Sequence, residues 1–228
     1  MKDYFDKLMS DKKIPLHMQE TVREEICHGI EVSNLAVMIA RELGEDKNIC
    51  RDLTIAGILH DIGKLKLTDY LYSEEDDTLL IEQMKYVRMH STYSYKILKN
   101  AGYPDNIAEA VYHHHENYDG SGYPDNLRGK DIPIMSRILR TCDVFAALTA
   151  DRSYRNAFDE QSAVEIMIDE VADYDMEIFL AFQRLIHKGE YNGMESLKEE
   201  VNDLQKEHIK LFIKEAEKLF SYMGNMSF

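Results

Sequence analysis

The sequence predicts an all-α fold, and three observations carry that prediction. Apolar residues recur at three- and four-residue spacing over most of the chain from Gln19 onward, as they do on the buried face of a helix. Breakers are scarce, with 11 Gly and 4 Pro in 228 residues, which leaves room for long helices. No strand-like segments alternate with the helical ones, so Rossmann and barrel folds are set aside.

The first helix is expected from about Gln19 to Leu43, with Val22, Ile26, Ile30, Leu35, Met38 and Ile39 facing inward and Gly44 as its C-cap. A second should run from about Lys47 to Asp61 and stop at Gly63. Leu65 to Asp77 has no clear period and reads as a loop, followed by a helix from about Thr78 to Asn100. Pro104 fits the first turn of the next helix, which carries Ile107, Ala108, Ala110 and Val111 and reaches His115. Asn117 to Lys130 gathers four breakers and is the conspicuous loop of the chain. Pro133 opens a strongly apolar helix to about Ala150. Asp159 can N-cap a helix from Glu160 to about Val171, and Asp175 to about Lys188 supplies another. Met194 to Met223 reads as one amphipathic helix with two neighbouring apolar stripes. Leu197, Val201, Leu204, His208 and Leu211 make the first, and Ile209, Phe212, Ala216, Leu219 and Met223 the second. Such a helix is expected to pack on its own domain or at a homodimer interface.

Charge and length narrow the function classes. Lys and Arg number 27 against 42 Asp and Glu, a formal net charge of −15, which excludes a protein that coats long nucleic acids, since that role needs a basic face. A chain of this size buries about 70–75% of its unfolded surface and folds without disulfides. Cys27, Cys50 and Cys142 are odd in number, far apart and without a CxxC pair, so they are expected as reduced thiols. No apolar run approaches the ~18 residues of a spanning helix. No signal-peptide pattern begins the chain, and a cytosolic location is expected.

The chemistry concentrates in histidines and carboxylates. Six of nine histidines fall between residues 28 and 115. Glu24 and His28, four apart, share one helix face. His60-Asp61 closes an apolar helix, His114-His115 closes another, and Asp143 sits inside an apolar one, where a carboxylate needs a cation to offset its burial. Imidazole mixed with carboxylate and free of thiolate suits Fe, Mn, Zn or Co in a multinuclear site.

Three strings then resemble a known family. His60-Asp61-Ile62-Gly63-Lys64 is followed by His114-His115-Glu116-Asn117-Tyr118-Asp119-Gly120-Ser121-Gly122-Tyr123-Pro124. Asp143-Val144-Phe145, Ala147-Leu148-Thr149 and Arg152-Ser153-Tyr154-Arg155 come next, in the family's order. Over roughly residues 20 to 175 the sequence is similar to an HD-GYP domain of the HD phosphohydrolase superfamily.

The resemblance implies an HD-domain helical bundle over residues 1–190, with residues 191–228 as an additional long helix. It implies two or three divalent transition metals, Fe or Mn first, with Zn, Co or Ni as alternatives. The implied ligands are His60, Asp61, His90, His114, His115 and Asp143, with Glu24 and His28 added for a third ion. Asp61 would bridge, and Lys64 would stand near the scissile phosphate. Tyr123, Arg152 and Arg155 would contact substrate. The implied activity is hydrolysis of cyclic di-GMP to pGpG or GMP by a hydroxide bridging the metals. Cyclic GMP-AMP or another nucleotide is the alternative substrate, and a catalytically silent binding or interaction module is the alternative of another class. The sequence departs from the family at Ala146, where an acidic residue is usual, at Ser153, where a proline is usual, and in the acidic stretch 73–77.

Overall fold

The computed structural model describes residues 14–67, 87–150, 156–189 and 202–224, and these are helical with no strand among them. Helix α1, Leu16–Glu42, is the axis of the bundle. Its 27 residues make a rod about 40 Å long, with Val22, Ile26, Leu35 and Ile39 fully buried. It begins three residues earlier than periodicity suggests, because Pro15 stands just before its first turn. Helix α2, Lys47–Leu59, lies along it, capped by the Asp46 carboxylate, which accepts the Asn48 and Ile49 N–H groups. A 3-10 turn, Ile62–Lys66, follows.

Helices α3, His90–Asn100, and α4, Asp105–Tyr112, form a corner beside that turn. After the loop that starts at His113 come α5, Ile134–Thr149, then α6, Glu160–Asp169, and α7, Met176–His187. Asp159 and Asp175 cap α6 and α7 by accepting the Ser162 and Glu177 N–H groups. Helix α8, Asp203–Gly224, crosses α1 and α2 of the same chain and buries Ile209, Phe212, Ile213 and Ala216. Leu204 and Leu211 are partly buried against the same core. Leu197 and Val201, and the side chains of Leu219 and Met223, lie outside the description.

Several expected boundaries are corrected. Helix α2 ends at Leu59 rather than Asp61, so His60 and Asp61 stand in the turn beyond it. Helix α4 ends at Tyr112 rather than His115, because His113 leaves helical geometry at φ −100°, ψ 13°. That early exit matters, since neighbours on a helix diverge by about 100°. In the turn, the rings of His114 and His115 instead lie with centroids 4.0 Å apart. Of the segment expected as a loop, Leu65 belongs to the 3-10 turn and is buried with Leu67, while residues 68–86 lie outside the description. No helix among the described residues is long and apolar enough to cross a membrane.

Candidate metal centre

Gly63 explains how the chain brings separate helices to one point. A Cβ at this position would stand 2.1 Å from the His90 carbonyl oxygen and 2.6 Å from the Ser94 nitrogen. Only a glycine lets α3 come so near, and the Gly63 N–H then donates to Ser94 Oγ at 2.8 Å. The start of α3 is thereby pressed against the turn that carries Asp61. His90 and Asp61 meet there, with Nε2 to Oδ1 at 3.2 Å.

The side chains gather in two groups. One contains Asp61, His90, His114 and His115; the other contains His28, His60, Asp61 and Asp143. Within each group, one nitrogen or oxygen per residue lies within 4.8 Å of all the others. Asp61 belongs to both, and its two oxygens face opposite ways. Oδ1 faces His90 at 3.2 Å and His114 at 4.0 Å, while Oδ2 faces His60 at 3.1 Å and His28 at 3.8 Å. Asp143 from α5 completes the second group, with Oδ1 2.9 Å from His28 Nε2 and 3.6 Å from His60 Nε2.

Hydrogen bonds to the backbone fix which ring nitrogens face inward. His60, His90 and His114 each direct Nδ1 at a carbonyl oxygen three residues back, those of Gly57, Val87 and Val111. A carbonyl only accepts, so each Nδ1 carries a proton, and the neutral rings of His90 and His114 present a lone pair at Nε2. His90 Nε2 and His114 Nε2 are nevertheless 3.3 Å apart. Two lone pairs do not bond each other, and a cation between them resolves the contact. Ring N–H groups donated to backbone carbonyls are also how metal-ligating histidines are held. His60 Nε2 and Asp61 Oδ1 are buried with no hydrogen-bond partner among the protein atoms. The donor set therefore fits divalent metal, and both groups could hold an ion.

Electrostatics distinguish the rings. Burial opposes a charge on His60, but the carboxylates of Asp61 and Asp143 outweigh it and raise its pKa to about 10. Burial, with His60 and His90 nearby, pushes His114 down to about 3. Burial likewise lowers His90 and holds His115 well below its ordinary value. Asp61 and Asp143 resist the upward pull of burial, the first through His60 and Lys64 and the second through His28 and His60, and both stay ionised. The first group thus holds three rings that prefer neutrality, whereas in the second His60 takes up the positive charge that Asp61 and Asp143 attract.

Around this centre, Lys64 Nζ lies 2.6 Å from Asp61 Oδ2 and 3.3 Å from Glu25 Oε2. Burial disfavours its charge, yet Asp61, Glu25 and Asp143 raise its pKa well above the ordinary lysine value. Tyr123 stacks on His115 with ring centroids 4.8 Å apart and planes 25° from parallel. Its loop leaves no room at Gly122, where a Cβ would stand 2.2 Å from the Asn117 nitrogen. The buried Glu116 carboxylate braces the same loop by accepting the Asp125 and Leu127 N–H groups at 2.7 and 3.1 Å.

Not every expected residue joins the centre. Glu24 is exposed and stands outside both groups, while its neighbour Glu25 meets Lys64. His28, expected beside Glu24 at a third ion, instead stands among His60, Asp61 and Asp143. Arg152 and Arg155 lie outside the described residues. His113 turns away to Glu109, Nε2 to Oε2 at 3.2 Å. Ala146 is fully buried, so an acidic residue there would enter the core. Sequence reasoning missed Glu25, Arg88 and the bracing role of Glu116. Arg88 lies over the Tyr123 ring, with Cζ 5.3 Å from its centroid, and its place two residues before His90 was the available signal.

Comparisons with known proteins converge on one group. The sequence profile of a family described as HD domain matches residues 5–178. A protein of Pseudomonas aeruginosa named cyclic di-GMP phosphodiesterase is 29% identical over 160 residues, 70% of this chain and 38% of that one. A Vibrio cholerae protein named 3'3'-cGAMP-specific phosphodiesterase 1 is 34% identical over 147 residues, 64% of this chain and 33% of that one. The chain thus spans about a third of the length of these curated relatives. A solved structure described as a cyclic GMP-AMP specific phosphodiesterase of V. cholerae shares the fold. Its TM-score is 0.58 at 17% identity, over 83% of this chain and 55% of that one.

Proposed function

The chain belongs to the HD domain family, and on that premise we propose that it is a metal-dependent phosphodiesterase that opens cyclic di-GMP to pGpG or GMP. The observation that carries this reading is the pair of facing Nε2 atoms of His90 and His114, beside a carboxylate shared with His28, His60 and Asp143. We assign one divalent ion to each group, iron or manganese by the all-nitrogen-and-oxygen donor set. Glu24 is exposed and belongs to neither group, so we assign two ions rather than three. Bound there, such ions supply Lewis acidity to phosphoryl oxygens and a nucleophile at neutral pH.

The chain's own groups then have separate tasks. Asp61 holds the two groups in register through its opposed oxygens. Lys64 brings a fixed positive charge to the edge of the second group, where it stabilises charge that builds on the phosphate. Tyr123, stacked on His115 and lying under Arg88, offers an aromatic face and a cation for a base or the second phosphate. Arg152 and Arg155 are proposed to reach that second phosphate. Residues 1–190 are proposed as the catalytic domain, with α8 as an outer brace.

The relatives' names divide between cyclic di-GMP and 3'3'-cGAMP, so the deciding experiment is a chromatographic assay of manganese- or iron-loaded protein against a panel of cyclic dinucleotides. Loss of cyclic di-GMP with appearance of pGpG or GMP is expected. Opening of 3'3'-cGAMP alone would move the substrate while leaving the chemistry. No turnover of any member by a folded, metal-loaded protein would instead make the chain a silent binding module.

A further inference from the structure

A further cavity shares no lining residue with the two groups, and the metal chemistry makes no use of it. Its volume is about 600 Å³, and it opens where α8 crosses the first half of α2 and the α3–α4 corner. Ile55, Pro104, Ile107 and Leu211 give it apolar walls. Arg51, Lys210 and Lys214 stand around it. Along α8, Lys206 and Lys218 are paired with Asp203 and Glu215, whereas Lys210 and Lys214, which flank the cavity, have no ion pair with any described residue. Arg51 has none either. Of the two carboxylates on the lining, Asp52 accepts from Asn106 at 2.6 Å and Glu207 is the other. The lining is therefore net positive in a chain whose formal charge is −15.

Two polar groups line the same space. Tyr103 Oη and His208 Nδ1 are 2.6 Å apart. Which of the two donates follows from which His208 nitrogen carries the ring proton. The Nε2 of His208 is buried and has no partner, and His208 as a whole is only 6% exposed.

We propose that this cavity is a second ligand site, taking a small organic anion with a phosphate or carboxylate head and a flat or aliphatic body. Arg51, Lys210 and Lys214 receive the head, and the apolar walls receive the body. The volume falls in the range of small-molecule sites. Arg51 precedes His60 by nine positions, which puts the site about 13 Å along α2 from the end that carries the metal-facing rings. A ligand that joins Arg51 to Lys210 and Lys214 spans α2 and α8.

The test is two-dimensional NMR of the full chain, reading the ring signals of His208, with GMP, benzoate and inorganic phosphate as separate probes. Any probe that shifts the His208 signals saturably supports the site, and the pattern tells which head group suffices and whether the body is needed. Lys214→Glu and Arg51→Glu, both exposed positions, should each weaken that binding by roughly tenfold or more and leave the circular dichroism spectrum unchanged. The proposal is overturned if none of the probes moves the His208 signals at millimolar concentration, or if both charge reversals bind as well as the parent. The readout does not depend on turnover, so it stands or falls separately from the proposed activity.

Discussion

Lys64 is held between two carboxylates from distant segments, Asp61 Oδ2 at 2.6 Å in the turn after α2 and Glu25 Oε2 at 3.3 Å on α1. The pair fixes a cation beside a centre that a phosphate would enter. Removing it should cost transition-state stabilisation more than assembly of the site. Lys64→Ala is expected to lower kcat by roughly 10²-fold, as loss of one electrostatic donor does elsewhere, with bound metal unchanged. Steady-state kinetics alongside elemental analysis checks this. An equal fall in metal content would assign Lys64 to assembly instead.

The split allegiance of Asp61 gives a second expectation. His115 serves one group and His28 the other, but Asp61 serves both. Asp61→Asn should therefore deplete metal from both, while His115→Ala or His28→Ala should each leave about one of two equivalents, since ligand loss weakens mainly its own ion. Elemental analysis of the three purified variants distinguishes them. Equal losses in all three would contradict independent groups joined by a shared carboxylate.

The buried rings predict how the chelated protein responds to acid. His114 is depressed to about 3, and His90 and His115 are also depressed. Unfolded histidines titrate near 6.5, so below that pH the unfolded chain binds protons that the folded one refuses. Stability from these rings is present above pH 6.5 and is lost as pH falls toward 3. His60 acts oppositely: raised to about 10, it stabilises fully below 6.5 and loses that contribution as pH rises through 10. Denaturant titrations of the EDTA-treated protein should show a maximum between these limits. A flat profile from pH 4 to 7 would refute the burial of neutral rings.

The loop that carries Tyr123 is braced from inside, which makes its residues separable. Glu116→Ala would strand the Asp125 and Leu127 N–H groups, at about 1–3 kcal/mol each if water does not replace the carboxylate. Gly122→Ala forces a Cβ into the backbone of Asn117 and His115 and should cost about 1–3 kcal/mol. Both variants should keep their metal and raise KM, because Tyr123 shifts on His115 while His90 and His114 stay put. Thermal unfolding, metal analysis and kinetics together test this, and loss of metal from both would place the loop inside the centre.

Much of this arrangement is legible in sequence, for identifiable reasons. Helix α1 announces itself because Val22, Ile26, Ile30, Leu35 and Ile39 keep one buried face over about five turns. The donors His60, Asp61, His114, His115 and Asp143 stand out as polar residues at the ends or middles of apolar helices. What stays hidden depends on contacts between distant segments. Nothing local says that α2 releases the chain at Leu59, because the cause is α3 pressing on Gly63 from 31 positions away. Nor does spacing choose between Glu24 and Glu25, which flank the same face of α1 near His28. Only the position of Lys64 selects Glu25. The cavity at His208 is equally invisible, since its cations come from α2 and α8, more than 150 residues apart.

The two groups differ in how far the chain must travel to make them. His90 and His115 are 25 positions apart, and one corner of helices brings them together. His28 and Asp143 are 115 positions apart, and they meet only once α5 has docked on α1. Closing shorter loops costs less entropy, so the first group, all within residues 61–115, asks less of chain closure than the second, which needs α5 docked on α1. A lesion that loosens α1 or α5 will therefore be felt first at His28 and Asp143, and the centre carries within itself a gauge of whether the whole bundle has closed.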